Sequence, residues 1–307
     1  MKTFLISLFS ILISIGSFAQ DDLLGMLEEE SDAGQNNEIF ATWKTMKLVN
    51  IHSTEMVKKK GLDFRVTHRF GNMGAASGGG PHNFYGFDVA SDIRISFDYG
   101  ITEKWQVGIG RSKVGEMIDV STKYKILSQK EKKVPLTIVA YVDAAITAQK
   151  DPDTRYDDWQ NRMSYFAEVI FARKFGERLS IEVAPSILHR NMVLIEQDGN
   201  GNVLRDENTN FALGVGARFK INKRLGIIAD YVHNFSDFRN KYEPQAYYDP
   251  FGVGVEIETG GHVFHITLTN APAVLENSYI PNTKDSWAKG GIKLGFNISR
   301  VFQLGKH

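Results

Sequence analysis

The chain has 307 residues, with 36 Lys and Arg against 36 Asp and Glu, and no cysteine. Balanced charge provides no field to draw nucleic acid, and the missing cysteine excludes a disulfide framework, a thiolate metal site, a Cys nucleophile and a lipoprotein anchor. Mean hydropathy is −0.24 and no segment beyond the N-terminal leader offers the roughly 18 continuous apolar residues of a membrane helix. A barrel, which shows lipid only alternate residues of each strand, stays open.

In chain order, the first element is a secretory leader over residues 1–19. Lys2 supplies the positive region, Phe4 to Ile15 the apolar region, and Ser17-Phe18-Ala19 the small residues of a cleavage site after Ala19. Residues 20–60 then read as a periplasmic N-terminal segment. Within it Leu23, Leu24, Met26 and Leu27 precede three glutamates at the spacing of one short amphipathic helix, a docking element, a pore plug or a frayed tail. Residues 38–53 form a further extended stretch, which is either a lumen or edge segment or evidence for fourteen strands.

From residue 61 to 304 the dominant period is two, the pattern of strands with one apolar and one polar face. Leu62, Phe64, Val66 and Phe70 alternate with Asp63, Arg65, Thr67 and Arg69; Ile93, Ile95, Phe97 and Tyr99 alternate with Asp92, Arg94, Ser96 and Asp98. The same rhythm continues through Ile118 to Lys125, Phe211 to Lys220 and Ile292 to Ser299. Short links at 101–104, 129–133, 176–178, 222–224 and 259–261 alternate with long ones at 71–86, 149–160, 190–208, 237–249 and 271–288, apart from one short reversal near Ser112 to Gly115. Short periplasmic turns and long outer loops are the rhythm of outer-membrane barrels, and an even strand count puts both ends of the barrel in the periplasm. Aromatics at the strand ends, among them Phe70, Tyr99, Trp105, Phe175, Phe219, Phe235 and Phe251, suit interfacial girdles. The fold predicted is all-β: a closed antiparallel up-and-down transmembrane β-barrel of about 12 strands, with 12–14 as the range. Alternation alone does not separate it from a soluble periplasmic β-sandwich binding protein with the apolar face inward, which stands as an alternative.

The stretches Gly61-Leu-Asp-Phe-Arg-Val-Thr-His-Arg-Phe-Gly71, Phe87 to Gly100 and Trp105-Gln-Val-Gly-Ile-Gly-Arg-Ser112, with the closing Gly295-Phe-Asn-Ile-Ser-Arg-Val-Phe302, resemble an uncharacterised outer-membrane β-barrel family of Bacteroidetes-type bacteria, a domain of unknown function. The resemblance implies a fold and a compartment, not an activity. The Phe-containing last strand also resembles the signal read by the barrel-assembly machinery, although a Gly-Lys-His tail follows it.

The polar parity collects the candidate lumen-lining charges: Asp63, Arg65, Arg69, Asp92, Arg94, Asp98, Asp119, Lys123, Asp143, Glu168, Glu182, Arg218, Asp230, Glu256, Glu258 and Lys293. A set mixed in sign suits an aqueous pore of weak ion preference, a site for a zwitterionic solute, or an internal salt-bridge lattice filling a narrow barrel. His68, His189 and His233 fall on the lipid-facing parity near the outer strand ends, at the level of lipopolysaccharide phosphates or of ordinary girdle residues. An outer-membrane lipid-modifying acyl hydrolase is the enzyme alternative, but no serine stands at a spacing that pairs with any of them. His262 and His265 are three apart and point to opposite faces of a strand, which argues against zinc. Asp198-Gly-Asn-Gly-Asn202 lacks the spacing of a calcium loop, and Gly78-Gly-Gly80-Pro81 lacks the setting of a phosphate loop. No catalytic, metal or cofactor site is expected. The function read from the sequence is a porin-like conduit or a structural, scaffold barrel, with outer-membrane lipids, the assembly machinery and periplasmic or surface proteins as partners.

Overall fold

The computed structural model describes residues 42–304, except 132, 151–157, 198–202, 242–244 and 260–261. The leader, the short helix expected in 21–30, the Asp198–Asn202 tip and the centre of the 259–261 turn lie outside the described residues.

Among the described residues twelve strands close a barrel. They are β1 (Gly61–Asn72), β2 (Ala90–Thr102), β3 (Trp105–Ser112), β4 (Met117–Leu127), β5 (Thr137–Thr147), β6 (Met163–Phe175), β7 (Leu179–Arg190), β10 (Thr209–Lys220), β11 (Leu225–Phe235), β12 (Phe251–Thr259), β13 (His262–Thr269) and β14 (Lys293–Gln303). Two three-residue strands, β8 (Ile195–Gln197) and β9 (Val203–Arg205), pair only with each other in the β7–β10 link. Each barrel strand is antiparallel to its neighbours, and β1 meets β14 to close the ring, with Gly61 opposite Gln303 and His68 opposite Phe296. Lengths run from 8 residues in β3 and β13 to 13 in β2 and β6, near those needed to cross a bilayer at a tilt.

Parity explains the two faces. On β2 the odd positions Ile93, Ile95 and Phe97 are exposed while Asp92 and Ser96 are buried; on β11 Ile227 and Tyr231 are exposed while Ile228, Asp230 and Val232 are buried. One residue of slip would exchange these faces, so a buried polar set and an exposed apolar set hold the register together. The short links and both strand ends Gly61 and Gln303 share one end of the barrel; the β3–β4 reversal is short at the other end, with Gly115 at φ 66° supplying the left-handed turn.

The chain itself occupies much of the lumen. Residues 42–57 enter at the short-turn end, where the Ser180 hydroxyl donates to the Thr42 carbonyl, and return to that end, where Lys60 N donates to Gly100 O at 2.7 Å. Between these points they form a hairpin, closed by the Lys47–His52 bridge, with Leu48 N donating to Ile51 O at 2.9 Å. The extended stretch that allowed fourteen strands is thus a lumen segment. At the opposite end helix α1 (Asp237–Lys241), in the β11–β12 link, stays at the rim, but the link after β13 also turns inward, with helix α2 (Glu276–Asn282) buried along Glu276 to Pro281. A loose outer loop was expected at 271–288, and its apolar run Ala271-Pro-Ala-Val-Leu275 is the reason it goes inside.

A hydrophobic core therefore forms inside the barrel. Trp43, Leu48, Val49 and Ile51 of the hairpin pack with Ala271, Ala273, Tyr279 and Ile280 and with inward-facing Tyr141, Phe166, Leu188, Ala212, Ile228 and Val232. At roughly 1.5–3 kcal/mol for each large apolar side chain buried, the four hairpin residues alone contribute several kcal/mol to keeping the segment in place. Two wall glycines make the room. A Cβ on Gly252 would meet Val49 Cγ1 at 2.5 Å, and one on Gly216 would meet Leu48 Cδ1 at 2.5 Å.

Candidate functional site

The lumen charges fall into three groups. Wall-to-wall pairs make up the first. Arg65 Nη2 donates to Asp63 at 2.9 Å, Arg218 Nε donates to Glu256 at 2.7 Å, and Arg94 holds Asp119 through both guanidinium nitrogens. Glu256 also faces His265 Nε2 at 3.5 Å, and Lys293 reaches Asp285 and donates to Asn72 Oδ1 at 2.6 Å.

The second group grips the hairpin and α2. Asp230 Oδ2 accepts the backbone N–H groups of Val49 at 2.9 Å, Asn50 at 2.6 Å and Ile51 at 3.2 Å, while its Oδ1 accepts Asn50 Nδ2 at 2.6 Å. A tight hairpin leaves its tip N–H groups without strand partners, and a buried carboxylate satisfies several at once. Arg69 complements it: Nη2 donates to Val49 O at 3.1 Å and Asn50 Oδ1 at 3.0 Å, and Nη1 to the carbonyls of Ala271 and Ala273. One guanidinium thus ties both inserted segments to β1. Lys123 donates to Ser53 O at 2.9 Å and Glu55 O at 3.2 Å, Asp92 accepts Val274 N at 2.8 Å, and Glu258 pairs with Lys44 at 3.0 Å.

Asp143, Glu168 and Glu182 form the third group, on adjacent strands β5, β6 and β7. They are buried, and both oxygens of Asp143 and of Glu182 and one of Glu168 make no hydrogen bond among the described residues. Asp98 belongs to neither paired set, with only a 3.5 Å contact from Gln106 Nε2.

The contacts between the two inserted segments are made by residues that strand parity does not single out. Lys47 Nζ donates to Glu276 Oε1 at 2.5 Å and to Val274 O at 2.9 Å, His52 Nε2 stands 3.5 Å from the same carboxylate, and Tyr279 Oη donates to Asn50 O at 3.3 Å. Burial pushes the His52 imidazole down to about 3, against the pull of Glu276, so it is neutral near pH 7. Burial also opposes charge on Glu276, yet Lys47 and His52 hold its carboxyl far below the ordinary range. Burial raises the Glu55 carboxyl. A signal for the hairpin was present in the parity break at 38–53; for Glu276 it lay in the apolar run just before it.

The histidines separate. His68 stacks on Phe296 with ring centroids 5.3 Å apart, His189 Nδ1 lies 2.8 Å from Thr209 Oγ1, and His233 Nδ1 lies 2.8 Å from Asp249, which also accepts from the Tyr231 hydroxyl. The last arrangement orients an imidazole on the outer surface, but no serine hydroxyl bonds to it among the described residues. His265 is buried beside Glu256 while His262 is half-buried, and no group of metal ligands assembles among the described residues.

A family model described as a membrane-bound β-barrel domain, domain of unknown function 5777, matches residues 43–302. The chain belongs to this family. The match begins in the hairpin, so the inserted segment lies within the domain together with the wall. The membrane barrel is similar to solved outer-membrane structures. It shares 13% identity with the NanC porin (TM-score 0.45, covering 78% of this chain and 98% of that one) and 8% with the KdgM porin (TM-score 0.44, 80% and 99%). With Omp33 of Acinetobacter baumannii it shares 8% (TM-score 0.39, 78% and 97%). No curated protein matches the chain.

Proposed function

We propose that this protein is an exported outer-membrane barrel, freed of its leader by cleavage, whose lumen is closed at rest by its own chain, and which serves as a scaffold rather than as a standing pore. The observation that supports this is the seat of the hairpin: Asp230 on β11 and Arg69 on β1 both bind its tip, inside a continuous apolar core. A mobile obstruction would be held by few buried contacts, whereas this one contributes to the core of the fold. Partners are then periplasmic or surface proteins, with membrane lipid around the wall and the assembly machinery at insertion. Lipid chemistry is set aside, because no hydroxyl nucleophile bonds to the oriented imidazole of His233 among the described residues.

Planar-bilayer recording of the purified chain tests the reading. The expected record is silent, with steps appearing only when the tip is released by Asp230→Asn. Steady ohmic conductance of the unmodified protein would establish the conduit in its place.

A further inference from the structure

At the short-turn mouth the hairpin does not fill the barrel completely. A cavity of about 440 Å³ lies between it and the wall of β1, β12, β13 and β14, within the range of small-molecule sites. Its apolar lining comes from Met46, Met56, Val57, Val263 and Val301.

Two charged groups in it are incompletely satisfied. Arg65 is 6% exposed; its Nη2 is committed to Asp63, but its Nε–H is buried without an acceptor among the described residues. A guanidinium N–H left so is costly and fits a carboxylate oxygen. The Glu55 carboxylate lines the same cavity; the Met56 backbone N–H donates to it, and no cationic side chain forms an ion pair with it among the described residues. The cations that face it are Lys44, Lys123 and Lys125, of which Lys44 pairs with Glu258 and Lys123 donates to backbone carbonyls. Arg65 calls for an acceptor, and Glu55, which faces Lys125 and holds one backbone N–H, keeps carboxylate capacity for a further cationic donor on the same partly apolar lining.

We propose that this cavity binds a short apolar zwitterionic peptide, its carboxylate on Arg65 and its terminal ammonium on Glu55. The volume exceeds what one amino acid needs, and the methionines offer an adaptable apolar surface. This site rests on the seated hairpin, because Met46, Glu55 and Met56 form one of its walls.

Calorimetry on the full chain in nanodiscs, with Leu-Leu as probe, tests it. Leu-Leu is expected to bind saturably, and N-acetyl-Leu-Leu and Leu-Leu-amide at least tenfold more weakly. Glu55→Gln should abolish the preference for the free amine and keep the preference for the free carboxylate; Arg65→Gln should do the reverse. Heat-modifiable gel migration checks that each variant is folded, and the Glu55 arm suffices alone if the Arg65 variant does not fold. Absence of saturable Leu-Leu binding, or equal binding of the capped peptides, overturns the site. If the same preparation is silent in a bilayer, the closed lumen stands without the peptide; if it conducts steadily, the closed-lumen reading falls as well.

Discussion

The carboxylate of Asp230, midway along β11, accepts the backbone N–H of Asn50 at 2.6 Å, across 180 residues of sequence. Three consecutive tip N–H groups converge on this one side chain, and hydrogen bonds to a charged acceptor contribute about 1.5–3 kcal/mol each. Asp230→Asn keeps the shape and removes the charge. It should cost about 3 kcal/mol, lowering the urea midpoint of the reconstituted barrel. An unchanged midpoint would show that the core alone seats the hairpin.

Lys47 and Glu276 join the two inserted segments in a fully buried ion pair. Removing one partner strands the other charge, at roughly 3–5 kcal/mol, whereas replacing both by apolar residues is often close to neutral. Lys47→Met and Glu276→Leu should each destabilise strongly, and the double variant should recover most of the loss. Additive losses in the double-mutant cycle would contradict the pairing.

Acid should loosen the plug before it affects the wall. His52 and Glu276 lie off the spanning strands, and both have folded values below their unfolded ones, His52 at about 3 against 6.5. Between those values the unfolded chain binds the extra proton, so the contribution of neutral His52 is complete above 6.5 and is lost as pH falls towards 3. Glu276 adds a second loss below its ordinary range, when its carboxylate is protonated. Urea titrations from pH 8 to 4 should show falling stability that His52→Gln flattens over the histidine window. Parallel curves for the two proteins would refute the assignment.

Gly252→Leu places a side chain where Val49 Cγ1 sits 2.5 Å from a bare Cβ. Val49 is β-branched and stiff, so the tip has to move rather than rotate away. Proteolysis within 42–57 should become detectable and current steps should appear, while Val255→Leu, on the exposed face of the same strand, should do neither.

Val120 is exposed on β4 opposite Ile109 of β3. On a lipid-facing strand Val120→Arg should cost roughly 2–4 kcal/mol near the bilayer midplane. A penalty near zero in folding assays with lipid vesicles would mean that this face meets water.

The chain by itself determined the wall. Period two is local, so Ile93, Asp92 and their neighbours declare opposite faces without knowledge of any partner, and the alternation of short and long links orders the strands. What filled the wall was decided only in three dimensions. Asp143 and Asp230 occupy equivalent inward positions in sequence, yet one makes no hydrogen bond among the described residues and the other holds the hairpin tip. Lys47 and Glu276 stand 229 residues apart in segments with no period at all. Their pairing follows from closure of the ring, which puts both ends of the lumen within reach and makes burial of Trp43, Leu48 and Tyr279 against one another more favourable than leaving them in water.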